Sequence, residues 1–184
     1  MDTQWPRWEV FEKERPDSPY RNAGSVHAPD AEMALENARD VFVRRTRCAG
    51  LWVAPSASVF TKTAAELSDP SWRSTPADVG TDPGAPAEPY LVFQKQTQRA
   101  TETFVAHVGE VAARSPQEAL TLALEQFDHN DVFVWWVCPA RVVVSTEESD
   151  SEPMFAPAES KPYRHPQFYK VVTQLREIKL SKGP

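Results

Sequence analysis

Apolar and polar residues follow two patterns along the chain, and both patterns occur twice. The runs "RWEVFEK" (7–13) and "PYLVFQK" (89–95) contain β-branched and aromatic residues, and each precedes a second β-rich run after a polar turn. A stretch with helical periodicity and a final apolar run follow in both places. Each copy is therefore predicted to form a ββαβ unit.

The predicted helix of each copy carries one apolar stripe and begins at a capping residue. The stripe consists of Ala34, Leu35, Ala38, Val41 and Phe42 in the first copy and of Ala119, Leu120, Ala123 and Phe127 in the second. Asp30 is a suitable N-cap for the first helix, and Ser115 with Pro116 and Glu118 predicts a capping box for the second. One face of each helix is therefore expected to pack on a sheet.

The two copies align along most of their length. The matching pairs are Phe11 with Phe93, Gly24 with Gly109, and "WVAP" (52–55) with "WVCP" (136–139), at separations of 82, 85 and 84 residues. The similarity extends beyond the last strand, where "DPSWRSTPAD" (69–78) resembles "EPMFAPAE" (152–159). We interpret the chain as a tandem duplication of one supersecondary unit.

Each ββαβ unit by itself buries little apolar surface. One helix layer covers only one face of its sheet, and a unit of roughly 60 residues has a thin core. The run 132–138 is apolar on both faces, with Phe133, Trp135 and Val137 on one and Val132, Val134, Trp136 and Cys138 on the other. The predicted fold is therefore α+β, with two ββαβ repeats packed as an intramolecular pseudo-dimer.

Seventeen prolines against six glycines divide the chain further. The prolines concentrate at 70–89 and 153–166, where they disfavour helices and central strands. The predicted organisation is a first repeat at 1–66, a Pro-rich linker at 67–89, a second, diverged repeat at 90–146, and an acidic link with an aromatic, Pro-rich C-terminal tail at 147–184. The run "STEESDSE" (145–152) is expected to be a solvated, mobile link.

Composition and charge narrow the function classes. The 184 residues carry a formal net charge of −6, which argues against a dedicated nucleic-acid-binding protein. No apolar run approaches the roughly 18 residues needed to span a bilayer, and the N-terminus lacks a signal-peptide pattern. We expect a cytoplasmic protein that binds neither nucleic acid nor membranes. Cys48 and Cys138 lack zinc-ligand spacing and are expected to be small buried hydrophobic residues.

No catalytic, cofactor-binding or metal-ligating constellation is apparent in the sequence. His27 and Asp30 are candidates for an acid–base pair or for a strand–helix hinge, and the hinge is favoured because the second copy keeps a capping residue but has no histidine. His107, His129 and His165 lack a glutamate three residues earlier, so the Glu-x-x-His spacing of di-iron proteins is absent. We therefore predict that the chain is not an enzyme and binds no cofactor or metal of its own.

Two clusters are candidates for recognition. Arg44, Arg45 and Arg47 follow the first helix, where the helix dipole favours cations; a site for an anion or an acidic partner is the alternative. The segment "KPYRHPQFYKVV" (161–172) combines aromatic and arginine side chains, which are common in binding hot spots, with a proline-stiffened backbone. Its rings either dock a partner or pack on the chain's own sheet. The predicted partner-binding residues are Tyr163, Arg164, His165, Phe168, Tyr169 and Trp135.

Several of these segments resemble one protein family. "WEVFEK", "AGSVHAPDAEMALENARDVFVRR", "LWVAPSASV" and "EPMFAPAESKPYRHPQFY" are similar to the small B subunit family of bacterial phenylacetate degradation. The resemblance implies a non-catalytic structural or bridging subunit of a multicomponent phenylacetyl-CoA epoxidase. It also implies, as partners, a ferritin-like di-iron oxygenase subunit and its related helical subunit, with a second copy of this chain as a further candidate. Family members carry one copy of the unit, so the tandem is a departure.

Other functions stay open at this point. A stand-alone α+β binding protein would use a cleft between the copies for a small acyl-CoA or aromatic acid, with the arginine cluster meeting phosphates. An enzyme of the small dimeric α+β barrel type would need an acid–base pair, and none persists between the copies. Within the epoxidase, a cap or a regulator is the alternative to a bridge.

Overall fold

A single antiparallel sheet runs through the whole structure. The computed structural model describes residues 4–43, 48–73, 86–96, 105–127 and 131–159. The strands are β1 (Arg7–Lys13), β2 (Arg21–His27), β3 (Gly50–Pro55), β4 (Phe60–Thr63), β5 (Glu88–Lys95), β6 (Ala106–Ala113), β7 (Val134–Pro139) and β8 (Val144–Ser145). The helices are α1 (Ala31–Phe42), α2 (Ala64–Leu67), α3 (Pro116–Gln126) and α4 (Glu148–Glu159). The predicted α+β class is confirmed, as a mixed structure with one antiparallel sheet and few helices.

The strand order divides the sheet in the middle. The order is β4-β7-β5-β6-β2-β1-β3-β8. We call residues 4–73 the first half and residues 86–159 the second half. The two halves join where Arg21 of β2 pairs with Ala106 of β6, and backbone hydrogen bonds on either side of this pair extend the contact.

The last strand of each half pairs with the other half. Strand β8 of the second half lies on β3, where Trp52 is opposite Ser145 and Val53 is opposite Val144. Strand β4 of the first half lies on β7, where Trp136 is opposite Thr61 and Val137 is opposite Phe60. These two registers are equivalent at a separation of 84 residues. The exchange of strands is therefore reciprocal.

Each final run was predicted as one strand, and the structure splits it in two. A 3₁₀ turn at Ser56–Ser58 follows Pro55, and another at Ala140–Val142 follows Pro139. Proline cannot donate a backbone hydrogen bond to a neighbouring strand, so it suits the last position of a strand. The turn then redirects the chain to the opposite half.

Aromatic anchors follow the exchanged strands into the opposite half. Trp72, with a side chain 3% exposed, packs with apolar residues of the second half around α3. Phe155, 6% exposed, packs with apolar residues of the first half around α1. The two anchors come from the tail segments that resemble each other in sequence. Each half therefore completes the core of the other.

Strand β8 and helix α4 overlap the run 145–152, which is expected from composition to be a solvated, mobile link; residues 145, 147 and 149 are exposed, but the backbone of both elements is regular. The helix begins at Glu148 and includes Pro153 and Pro157. A proline inside a helix costs about 3 kcal/mol, because it removes a hydrogen bond and its ring meets a carbonyl group one turn earlier. The burial of Phe155 offsets part of this cost. Composition alone did not predict α4, because the burial of Phe155 against the first half is a tertiary contribution that local preferences do not record.

Helices α1 and α3 begin at the predicted capping residues. The Asp30 carboxylate accepts a hydrogen bond from the Met33 backbone N–H at 2.8 Å, and the Ser115 hydroxyl accepts one from the Glu118 N–H at 3.1 Å. The Glu118 carboxylate accepts in turn from the Arg114 N–H at 2.7 Å, one residue before the cap. These bonds satisfy donors that an uncapped helix would leave without partners.

Two glycines sit at equivalent bulges under the ends of the helices. Gly24 has a φ of +135° and Gly109 a φ of +155°, and both lie opposite the register shift in the neighbouring strand. A Cβ at Gly24 would stand 2.9 Å from the Phe42 ring, and one at Gly109 would stand 2.7 Å from the Phe127 ring. Only glycine combines this backbone conformation with such close packing of the helix.

The side chains form two outer cores and one inner core. The outer cores lie between α1 or α3 and the strands beneath each helix. The inner core lies between the two halves and contains Phe11, Ala54, Leu91, Phe93, Val105 and Cys138. The sheet is therefore covered by a helix on one face and by the opposite half on the other.

Substitution of either exchanged anchor should destabilise the whole fold. We expect Trp72→Ala and Phe155→Ala each to lower the free energy of unfolding by about 3 kcal/mol, since each leaves a cavity in the opposite half. Urea unfolding followed by circular dichroism measures this. The matched control is Trp5→Ala, whose ring is 57% exposed and whose loss should change stability by less than about 0.5 kcal/mol. An equally small effect of Trp72→Ala would contradict the anchoring role.

Candidate interaction site

Most of the predicted partner-binding residues lie outside the described part of the chain. This holds for Tyr163, Arg164, His165, Phe168 and Tyr169, and also for the arginine cluster at 44–47. Their role in binding stays a prediction.

Trp135 lies in the outer core of the second half instead of on the surface. Its side chain is 1% exposed and packs with Leu120 and Val137 beneath α3. A partner cannot reach this ring in the folded chain, so the structure corrects its assignment to a contact surface. Val132, predicted on the opposite face from Trp135, belongs to the same outer core, because it precedes β7 and does not follow the strand's alternation.

His27 and Asp30 do not form an acid–base pair with each other. The Asp30 carboxylate caps α1, and the His27 Nδ1 is 2.8 Å from the carbonyl oxygen of Trp5. The backbone carbonyl of His27 accepts a hydrogen bond from the Asn37 side chain at 3.1 Å. The segment "HAPD" is therefore a hinge between β2 and α1, as the comparison of the two copies indicates.

Aromatic rings fill the space between the two halves. Phe11 stacks on Phe93 with ring centroids 4.4 Å apart, and Trp136 meets Phe11 edge-on at 6.3 Å. Tyr20 stacks on Trp52 at 3.6 Å beside them. Such contacts are worth about 0.5–1.5 kcal/mol each beyond the burial of area. Within the described residues, side chains thus fill the space between the halves where a stand-alone binding protein would need its ligand cleft.

A buried carboxylate distinguishes the first half from the second. Glu9 is 5% exposed, accepts hydrogen bonds from Ser56 Oγ at 2.8 Å and from Asn22 Nδ2 at 3.3 Å, and pairs with Arg7 at 3.0 Å. The residue aligned with Glu9 in the second half is Leu91, which belongs to the inner core. The carboxylate is tolerated inside because its oxygens have partners.

His107 occupies the position in the second half that corresponds to Asn22. Asn22 lies opposite Phe11 in the sheet, and His107 lies opposite Phe93. The imidazole centroid is 5.3 Å from that of the Trp52 ring and 5.4 Å from that of the Phe93 ring, and its buried Nε2 has no hydrogen-bond partner among the described residues. Burial lowers the pKa of His107 from its ordinary value, although the Glu110 carboxylate acts in the opposite direction. The neutral imidazole is therefore the form that fits this site.

The two cysteines lack the properties of catalytic thiols. Cys138 is fully buried, and Cys48 is half-buried. Burial raises the pKa of each thiol to about 12. A reactive cysteine requires a lowered pKa and access to solvent, and neither side chain combines the two.

A cavity of about 450 Å³ opens beside the β1–β2 hairpin. Its lining consists of Glu12, Glu14, Arg15, Ser18, Pro19, Arg21, Asn22, Ala23 and Phe42. The volume is within the range of small-molecule sites. Its two arginines are balanced by two glutamates, so the lining does not favour a polyanionic ligand.

The described residues contain no metal centre or membrane span. No group of three or more His, Cys, Asp or Glu side chains among them is placed to bind a metal ion. None of the helices in the described ranges is both long and apolar enough to cross a membrane.

The stability of the folded chain should depend on pH through His107. As the pH falls below about 6.5, the unfolded histidine gains a proton at a higher pH than the folded one, whose pKa is lowered, so the free energy of unfolding decreases. We expect His107→Asn, which installs the residue found at the equivalent Asn22, to reduce the loss of stability between pH 8 and pH 5.5. Urea unfolding at each pH measures it; an equal loss in both proteins would contradict the assignment.

Comparison with known proteins extends these observations. A curated relative from Escherichia coli (strain K12), named as the B subunit of 1,2-phenylacetyl-CoA epoxidase, is 42% identical over 55 residues. The aligned part covers 30% of this chain and 58% of the relative, so it spans less than two thirds of the relative's length. No solved structure matches the chain.

A protein-family model gives the broader match. The model described as Phenylacetic acid degradation B (PaaB) matches residues 4–75 and 88–176. These segments include nearly all of both halves, and the second continues through the tail at 161–172. The chain therefore belongs to the PaaB family.

Proposed function

We propose that this chain is a non-catalytic bridging subunit of a multicomponent phenylacetyl-CoA epoxidase in phenylacetate catabolism. The observation that carries the proposal is that the two segments matched by the PaaB model coincide with the two halves of the fold. The relative named as the B subunit of 1,2-phenylacetyl-CoA epoxidase supports the same assignment. That name implies protein partners, so it favours a place for this chain in an assembly.

The two halves are proposed to be two B-type repeats packed as an intramolecular pseudo-dimer. Three observations support this interpretation: the equivalent strand exchange, the reciprocal anchors Trp72 and Phe155, and the equivalent bulges at Gly24 and Gly109. One chain would then replace a pair of separate B-type chains. The proposed boundaries are a first repeat at 1–66, a linker at 67–89, a second repeat at 90–146 and a C-terminal region at 147–184.

The proposed partners are a ferritin-like di-iron oxygenase subunit and its related helical subunit. In this assembly the oxygenase would carry out ring epoxidation, and a separate flavin and iron–sulfur reductase would supply electrons. The role of this chain would be positional, with no cofactor of its own. The proposed contact residues are Tyr163, Arg164, His165, Phe168 and Tyr169 of the tail; the Trp135 ring is buried in the outer core and is not part of the contact.

The alternative, a stand-alone protein that binds a small acyl-CoA or aromatic acid, has less support. Its expected cleft between the copies is occupied by the stacked rings of the inner core. The cavity beside the β1–β2 hairpin has a lining of mixed charge, which suits the phosphates of coenzyme A poorly. The inner core thus acts as a structural joint between the halves.

A chain cut in its linker should remain one particle. A protease site is inserted between residues 78 and 82, and the chain is cleaved after it has folded. We expect the two fragments to elute together in size-exclusion chromatography. Each fragment supplies a strand and an anchor to the other, and the inner core adds further burial. The control is the same cut chain carrying Trp72→Ala and Phe155→Ala, which should separate at lower urea concentration. Separation of the unsubstituted fragments in buffer would contradict the pseudo-dimer.

The bridging role is tested by intact-complex mass spectrometry. The recombinant chain is mixed with the purified oxygenase subunit and its related helical subunit from the same host. We expect one copy of this chain at each bridging position, because one chain carries both repeats. Two copies at each position would contradict the pseudo-dimeric bridge, and no complex at all would overturn the assignment to the epoxidase.

Calorimetry of the isolated chain with phenylacetyl-CoA separates the two proposed functions. The bridging protein should show no micromolar binding. Binding at that level would favour the stand-alone acyl-CoA protein instead.

A further inference from the structure

Exposed apolar side chains gather at the first half's helix. Among the described residues, five large hydrophobic side chains are exposed, and three of them are Trp5, Met33 and Val41, at 57%, 44% and 56% exposure. Val41 was predicted on the apolar stripe that packs on the sheet; it lies instead on the outside of α1, because Ala34 and Ala38 form the buried face. Exposed apolar side chains that gather on one element mark interaction sites more often than singly scattered ones do.

Hydrogen bonds hold the Trp5 backbone beside α1. The carbonyl oxygen of Trp5 is bonded to the His27 ring, and the carbonyl oxygen of His27 accepts from the Asn37 side chain. Asn37 lies between Met33 and Val41, four residues from each, so the three residues follow one row on the helix surface. Met33 and Val41 therefore lie along one side of α1, and the Trp5 backbone is linked to that same side through His27 and Asn37.

An acidic row runs parallel to this apolar row. It consists of Glu32, Glu36 and Asp40, again at four-residue steps. All three residues are exposed, and Arg39 is paired with both Glu36 and Asp40. The row therefore carries a net negative charge. We call the combination of the acidic row with Trp5, Met33 and Val41 the α1 outer face.

The second half contains a natural comparison for this face. At the 85-residue separation of the two helices, Met33 corresponds to Glu118 and Val41 to Gln126. Trp5 corresponds to Ala87 at the 82-residue separation of the first strands. The acidic row corresponds to Gln117, Thr121 and Glu125. Since the fold is the same at both places, the apolar and acidic character of the first helix is not required for folding.

We infer that the α1 outer face is the docking surface for the oxygenase pair, and that the partner presents an apolar patch with lysine or arginine beside it. This inference rests on the proposed bridging function. A partner with that chemistry would cover the three exposed side chains and neutralise the acidic row. A second copy of this chain is a poorer occupant, because two acidic rows would face each other across a symmetric contact. The two halves thus present different outer faces, and the first carries this contact.

The test replaces two exposed residues of α1 with the residues found at the equivalent positions of α3. The double variant Met33→Glu with Val41→Gln installs the residues found at 118 and 126, and its binding to the immobilised oxygenase pair is measured by biolayer interferometry. We expect the dissociation constant to rise about tenfold or more, as for residues central to an interface. Thermal unfolding should be unchanged, because both positions are exposed. The matched control is Val108→Gln, at a 36% exposed valine of the second half, which should bind like the unsubstituted chain.

The acidic row is tested by its effect on association. Glu32→Gln with Glu36→Gln should slow association severalfold at low salt and reduce the dependence of the association rate on salt, because charge steers the encounter. An unchanged rate and salt dependence would overturn the charge part of the inference.

Each remaining outcome bears on a different statement. Unchanged binding by the Met33→Glu, Val41→Gln variant, with the unsubstituted chain binding well, overturns this docking face and leaves the proposed function intact. Absence of binding by the unsubstituted chain overturns the proposed function and this occupant together. Sedimentation velocity of the chain alone tests whether a second copy of this chain binds the α1 outer face. If the unsubstituted chain forms a dimer and the Met33→Glu, Val41→Gln variant does not, the face belongs to a second copy and the inference is overturned.

Discussion

The reciprocal exchange between the two halves is the interaction on which the rest of the structure depends. Each ββαβ unit has one helix and too little apolar area to bury both faces of its sheet. The exchanged strands and the anchors Trp72 and Phe155 close the outer cores, and the stacked rings of Phe11 and Phe93 close the inner one. Without the opposite half, every one of these cores would be open to water.

Two halves joined in one chain can also differ in sequence. The buried Glu9 and its partner Asn22 face the inner core in the first half, where the second has Leu91 and His107. Outside, the α1 outer face is apolar and acidic, whereas the corresponding surface of α3 is polar. Two separate but identical chains could not present two different outer faces, whereas the two halves of this chain do.

Much of the fold followed from local patterns. The capping residues Asp30 and Ser115 mark the helix starts, because an unpaired helix N-terminus needs a nearby acceptor. The aligned Gly24 and Gly109 supported the alignment of the two copies, and only the structure places both at equivalent bulges, where such φ values favour glycine. The site was harder to predict. Trp135 is a large aromatic residue on a strand that is apolar on both faces, and the sequence does not indicate which face packs against a helix and which packs against the opposite half.

By itself, the sequence determined the alignment of the two halves, helices α1 and α3 and most strands, and the resemblance to the PaaB family, because these depend on residues near each other in the chain. Only the tertiary structure decided where β4 and β8 pair, where Trp72 and Phe155 insert, and that α4 forms in spite of two prolines. The physical reason is that their stability comes from surfaces contributed by distant residues. Pairing partners and buried area are properties of the assembled halves, and no local preference records them.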